Sequence, residues 1–115
     1  GKELLMIFDS VTPLFQTLEA KNVLRFLQSS AYACRIAKAI GIATIHTGIH
    51  GEQIENACQQ LADGVIEFRK KGEDGSASRF IRIIKMRATK IYEEYCPMEI
   101  THKGIVIHNL PLSAL

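Results

Sequence analysis

The sequence predicts an α/β fold in which a short parallel sheet with helices occupies the first half and antiparallel strands extend it in the second. Three observations carry this. Two apolar runs, residues 3–8 and 42–46, flank a long amphipathic stretch, which is the order of a parallel crossover. After residue 63, strand-like runs follow one another with no helical pattern between them. The polar connectors among those runs, "KKGEDGSAS" and "THKG", contain glycine, as hairpin connectors do.

Each element has its own warrant. Residues 3–8, "ELLMIF", are nearly continuous in apolar side chains and end in Asp9-Ser10. Such a run suits a strand buried on both faces of a parallel sheet. Thr12-Pro13 reads as a helix start, since proline is tolerated in a first turn. Asn22 is a suitable N-cap for the next segment. Leu24, Leu27, Ala31, Cys34, Ala37 and Ile40 then recur at steps of three and four, with Arg25, Gln28, Arg35 and Lys38 on the other side. This spacing predicts an amphipathic helix closed by Gly41. "IATIH", residues 42–46, predicts a second buried strand, and "TGIHG" a loop. Residues 52–61 predict a short helix with Ile54, Ala57, Cys58 and Leu61 on one side. "GVIEF", "RFIRIIKMR", "YCPMEI" and "GIVIH" predict antiparallel strands, the first two joined as a hairpin.

Bulk properties narrow the function classes. The 115 residues fit one small domain, 1–115. Apolar residues make up 47% and charged residues 23%, which is ordinary for a globular protein. A net charge of +2 is too small to argue for nucleic acid or membrane on bulk electrostatics. No apolar run approaches the ~20 residues of a membrane span, and no signal-peptide pattern opens the sequence. The expectation is a cytoplasmic protein with no membrane association. Cys34, Cys58 and Cys96 are odd in number and form no C-x-x-C, which argues against a disulfide framework or zinc site and for a reducing compartment. Gly1 stands where Met would open a chain, and a strand-like run begins almost at once, so the sequence is expected to be cut from something longer.

The candidate functional residues fall into two sets. In "IIKMRATK", Lys85 and Arg87 are two apart. On a strand they point the same way, roughly 6.5–7 Å apart. Two fixed cations there can grip a phosphate or carboxylate, Arg as the planar fork and Lys as the point charge. A solvent-facing strip accounts for the same spacing, with Arg79 and Arg82 as further examples. These cations leave nucleic acid as a weakly supported partner, because Arg82 falls on the opposite face from the others. Asp9 ends an apolar strand, where parallel sheets bind ligands, and can hold Mg²⁺ directly or through water. A helix cap by Asp9 or Ser10 is the other reading. His46 and His50 are four apart with Glu52 nearby, but Gly48 lies between them. The preferred reading is a polar strand end, with His46 or Thr47 reaching into a ligand site. There is no G-x-x-x-x-G-K-[ST] and no G-x-G-x-x-G, so nothing here builds a phosphate-wrapping loop.

Taken together, "LLMIFDSVTPLF", "NVLRFLQSSAYACRIAKAIGIATIH", "LADGVIEFR", "RIIKMRATK" and "MEITHKGIVI" resemble the second half of a RecA-superfamily ATPase domain of the KaiC type. The resemblance runs from about residue 4 to residue 107. It implies a partial RecA-like P-loop NTPase core. It further implies that Asp9, with Ser10 beside it, is the Walker B carboxylate positioning the Mg²⁺ of bound ATP. Lys85 and Arg87 then match the family's Lys-x-Arg, which reaches the γ-phosphate of a neighbouring subunit's nucleotide and stabilises the transferring phosphoryl group. The Walker A loop and the catalytic carboxylates lie upstream in that family and are absent from this sequence. The implied ATP and Mg²⁺ would bind only with that missing half, and the 115 residues alone are expected to be inactive. The expected partners are further copies of the chain or the missing N-terminal half-domain. Relatives of this fold act in signalling among other processes. The alternative function is a non-enzymatic interaction or regulatory module derived from the same fold.

Overall fold

The computed structural model describes residues 3–72, 78–91 and 93–108. Its elements are β1 (Leu5–Phe8), α1 (Thr12–Thr17), α2 (Ala20–Ala37), β2 (Ile40–Ala43), α3 (Glu52–Leu61), β3 (Gly64–Lys71), β4 (Ser78–Met86), β5 (Cys96–Thr101) and β6 (Gly104–Ile107). They divide into two compact units, Gly1–Ala62 and Asp63–Leu115. The fold is mixed α/β, with a parallel pair in the first unit and an antiparallel sheet in the second.

In the first unit β1 pairs parallel to β2, with Leu5 opposite Ile40 and Phe8 opposite Ala43. The connection between them contains α1 and α2. Helix α2 packs on β2 and on both other helices. Val23 on α2 is buried, and the Phe8 ring meets Phe26 edge-on at 5.4 Å. The boundaries of α2 differ from those expected. It starts before Asn22: Glu19 is the extended N-cap residue and its carbonyl accepts from Asn22 and Val23. It also ends before Gly41. Lys38 takes the left-handed conformation at φ 54°, and its N–H reaches the carbonyls of Arg35 and Cys34. Ala39 N–H also returns to the Cys34 carbonyl, at 2.8 Å. A non-glycine residue thus closes the helix. That releases Ile40 and Gly41 into β2, which runs from residue 40 and not from residue 42. Gly41 is needed for a different reason: a Cβ there would lie 3.0 Å from Cys34 Sγ, because helix and strand approach closely.

The strands of this unit are not buried on both faces as expected. Leu5 is 61% exposed, Ile7 58% and Ile40 66%. A parallel pair needs cover on both faces, and the helices of this unit do not give it.

In the second unit the strands are ordered β3-β4-β5-β6, all antiparallel. The expected hairpin joins β3 to β4, though residues 73–77 of its connector lie outside the described residues. A register shift between Val65 and Ile66 marks a bulge. Gly64 sits opposite Met86, where a Cβ would be 3.0 Å from the Met86 sulfur. The pairings Glu67–Arg82, Arg69–Phe80 and Phe80–Pro97 define one face. Phe68–Ile81, Arg79–Met98 and Ile100–Ile105 define the other, more apolar face. Cys96 and Met98 are buried.

The first face is held by a charged cluster. Glu67 accepts a hydrogen bond from the Tyr95 hydroxyl and pairs with Arg82 at 3.3 Å and Arg69 at 3.5 Å. Both guanidiniums also lie on the Tyr95 ring, at 4.5 Å and 5.1 Å from its centroid. Burial pushes the Glu67 carboxyl up, but Tyr95 and the two arginines outweigh it and hold the carboxyl below its usual value. The hydrogen bond to Glu67, helped by burial and the carboxylate's charge, pushes the Tyr95 hydroxyl up. No helix among the described residues is long and apolar enough to cross a membrane.

Candidate functional site

The first set of candidate residues gathers at the carboxyl ends of β1 and β2. The parallel register puts residue 9 beside residue 44, since Phe8 faces Ala43. The two chain ends are stitched together by backbone: Thr44 N–H donates to the Phe8 carbonyl at 3.0 Å, and Val11 N–H to the Thr44 carbonyl at 2.9 Å. Thr44 Oγ1 then donates to Asp9 Oδ1 at 2.8 Å. Asp9 therefore does not cap α1. Its carboxylate is exposed and turned towards the end of the neighbouring strand, and among the described residues Oδ2 has no hydrogen bond. Ser10 does not cap α1 either: Val11 is the N-cap residue and the helix has no side-chain cap, while Ser10 Oγ accepts from Thr12 N–H at 3.2 Å in a local turn ahead of it.

Thr12 is the hub of this end of the unit. It is the buried polar residue among those described, at 4% exposure. Its hydroxyl accepts from the His46 backbone N–H at 2.9 Å and lies 3.2 Å from His50 Nε2. The His50 ring also packs on Phe15, with centroids 5.2 Å apart. His46 and Thr47 both lie in the exposed loop that follows β2, and His46 is tied in through its backbone. Gly48 N–H donates to Glu55 Oε2 at 3.0 Å, which fastens the loop to the first turn of α3. His50 is thus engaged by Thr12 and Phe15, whereas His46 is held through its backbone. No group of three or more His, Cys, Asp or Glu side chains suited to a metal occurs among the described residues.

The second set belongs to the second unit. Lys85 lies on β4 opposite Val65. Strand β4 ends at Met86, so Arg87 begins the following turn. Arg87 N–H nevertheless continues the ladder by one bond, to the Asp63 carbonyl at 2.8 Å. Its Nη1 pairs with Asp63 Oδ1 at 2.9 Å. Arg82 was expected on the opposite face from Lys85, but the register shift between Val65 and Ile66 sets Lys85 opposite Val65 and Arg82 opposite Glu67, on one face of the sheet. Arg82 is engaged there by Glu67 and Tyr95 and is not available as part of a basic strip.

Sequence reasoning missed Thr44 and Asp63, and the contact between Thr12 and His50, which it had considered only beside His46. Thr12 had been read only as the start of a helix. The partners of Thr12 and Asp9 lie some 35 residues away in sequence, and pairing the two strands in register would have pointed to Thr44.

A single carboxylate at a strand end suits Mg²⁺, which is usually held by one or two carboxylates together with water and substrate phosphates. Asp9 fits that role. The sequence contains no G-x-x-x-x-G-K-[ST] motif.

The first unit thus carries a carboxylate at the end of its parallel strands, and the second a Lys-x-Arg at the end of an antiparallel strand. Comparison with known proteins gives the family. Residues 2–111 match the family described as "ATPase: KaiC", and the chain belongs to this family. It is 30% identical over 107 residues to a UPF0273 protein of Thermotoga maritima, covering 90% of this chain and 43% of that protein. Its fold is similar to that of a KaiC-like protein from the hyperthermophilic archaeon Pyrococcus horikoshii, with a TM-score of 0.69 and 21% identity, covering 91% of this chain and 46% of the other. The chain thus spans less than half the length of each.

Proposed function

We propose that these residues form the C-terminal portion of a KaiC-like ATPase domain whose phosphate-binding loop is supplied by other residues. Asp9 is the Walker B carboxylate on the Mg²⁺ side, with Ser10 beside it. His46 and Thr47 border the nucleotide from the loop after β2. Lys85 and Arg87 are the clamp that meets the γ-phosphate of ATP held by a neighbouring subunit. The observation that carries this reading is the fixing of Asp9 at the carboxyl ends of the parallel strands by Thr44. This is where open α/β sheets bind ligands.

The chemistry assigns separate tasks. Bound Mg²⁺ supplies neutralising charge to the phosphates. Asp9 directs a carboxylate oxygen at that region, and Thr44 restricts its rotation. Thr12 keeps the loop of His46 and Thr47 against the end of β1. Lys85 and Arg87 stabilise negative charge on the transferring group, which is where preorganised cations contribute most to phosphoryl transfer. The 115 residues by themselves do not hydrolyse ATP on this reading, because no backbone loop cradles the phosphates. The same reading makes the working protein an oligomer of cytoplasmic subunits, in the signalling or timing role that such ATPases fill.

The test is kinetic. In the assembled ATPase containing this chain, Lys85→Ala and Arg87→Ala should cut turnover far more than nucleotide affinity. Wild-type turnover in both variants would remove the clamp. The second reading, a non-enzymatic interaction module, is favoured by one observation: the uncovered apolar strands β1 and β2. It predicts concentration-dependent association with no response to nucleotide.

A further inference from the structure

Asp63 holds Arg87 at two points. The backbone N–H of Arg87 reaches the Asp63 carbonyl at 2.8 Å, and its guanidinium Nη1 reaches the Asp63 carboxylate at 2.9 Å. The register explains why these residues meet. Gly64 and Met86 are the last paired positions of β3 and β4, so the next residues outward, 63 and 87, face one another. On the other side the turn is closed as well. Ala88 adopts φ 58°, Thr89 N–H donates to the Met86 carbonyl at 3.2 Å, and Thr89 Oγ1 to the Arg87 carbonyl at 3.3 Å. The backbone of Arg87 is therefore fixed from both directions, and only its long side chain remains to be aimed.

We propose that Asp63 is a positioning residue for Arg87, setting the direction in which the guanidinium is presented to phosphate. This rests on the clamp reading of Lys85 and Arg87. A guanidinium has five N–H donors in a rigid planar fork. The Nη1 corner faces Asp63, and among the described residues no other group engages the fork. The rest of the fork can donate to a phosphate while the carboxylate stays in place. Both side chains are 58% exposed, and an exposed pair of this kind contributes little to folding stability. Its worth lies in orientation: an arginine left to sample its rotamers must be ordered again at each turnover. Glycine at position 64 lets the two strand ends draw together, since a Cβ there would press on the Met86 side chain at 3.0 Å.

The experiment is a double-mutant cycle on turnover in the assembled ATPase. Arg87→Ala is expected to lower kcat ~10³-fold, the lower range for a trans-acting arginine. Asp63→Asn keeps size and backbone contact but loses the charge, and is expected to lower kcat ~10-fold or more with little change in KM, the scale of a misdirected catalytic group. The decisive variant combines both, and its kcat should equal that of Arg87→Ala alone, because Asp63 acts through Arg87. Asp63→Glu should restore part of the loss. A wild-type kcat in Asp63→Asn overturns the proposal while leaving the clamp intact. So does a double variant whose losses multiply, since that marks an independent structural role. Unchanged turnover in Arg87→Ala, or no turnover in the assembly, removes the clamp and this inference with it.

Discussion

The two units solve the same problem, an apolar strand that must leave water, with different success. The four antiparallel strands of the second unit build one polar face of their own, where Glu67, Arg69, Arg82 and Tyr95 pair with one another and only the buried Arg82 Nε, among the described residues, is left without a partner. An antiparallel sheet tolerates solvent on such a face. The parallel pair of the first unit has no such recourse. β1 and β2 are four residues each and apolar almost throughout, and Leu5, Ile7 and Ile40 are more than half exposed. Its polar groups are concentrated at one end, from Asp9 to Thr12 on one strand and from Thr44 to His50 after the other. That polarity is what a ligand-binding parallel sheet has. The difference teaches that the second unit offsets its exposed face with paired charges, whereas the first leaves its apolar strands uncovered and gathers polar groups at one end.

The largest test of this contrast is catalytic. Arg87→Ala in the assembled ATPase is expected to slow turnover ~10³-fold, with Lys85→Ala acting in the same direction. Nucleotide affinity should change far less in both, as steady-state kinetics alongside a binding titration would establish.

A smaller effect should appear in the stability of the first unit. Thr12→Val removes the buried hydroxyl and leaves the His46 N–H beside a methyl group. The expected cost is ~0.5–1.5 kcal/mol, the net worth of a typical hydrogen bond, because His46 is exposed and water can reach its N–H. Chemical denaturation read by circular dichroism would check it. A stability equal to wild type would show that the strand ends are held without the Thr12 hub.

In the second unit the test is pH. The Glu67 carboxyl titrates lower in the folded chain than its ordinary value of 4.5. A depressed carboxyl contributes stability that is present above the unfolded value and lost as pH falls through the folded one. The contribution should thus be full at neutral pH and fade as the pH drops below 4.5. Glu67→Gln should lower the melting temperature at pH 7 and lose that effect in acid. The smallest expected change is at the end of α2. Lys38 carries a left-handed φ of 54°, so Lys38→Gly should stabilise by up to ~1 kcal/mol. A loss of stability there would mean that the lysine side chain contributes more than its backbone strain costs.

Much of the fold was legible because periodicity is local. The strand-like apolar content of "RFIRIIKMR" and the three-and-four spacing of Leu24 to Ala37 gave β4 and α2 directly, and the glycine-containing connectors gave the antiparallel order. The error at Gly41 was physical: glycine reads as a helix stop, but Lys38 took the left-handed position and left Gly41 to relieve a close approach to Cys34. The burial of β1 and β2 was read from composition, which reports what a strand needs and not what covers it. Of the site, Asp9 was legible as a carboxylate after an apolar run. Thr44, Thr12 and Asp63 were not, because their roles depend on which strand ends lie side by side. The pairings Asp9–Thr44 and Asp63–Arg87 follow only from register.

The central claim is that this chain carries the Mg²⁺-side carboxylate and a clamp for a neighbour's nucleotide but no phosphate-wrapping loop of its own. Calorimetric titration of the 115-residue chain with Mg-ATP tests it most directly, with folding checked by circular dichroism. The account predicts a folded chain that gives no binding heat up to millimolar nucleotide. Saturable binding well below a millimolar would contradict it, since a complete nucleotide site would then exist without a phosphate-wrapping loop.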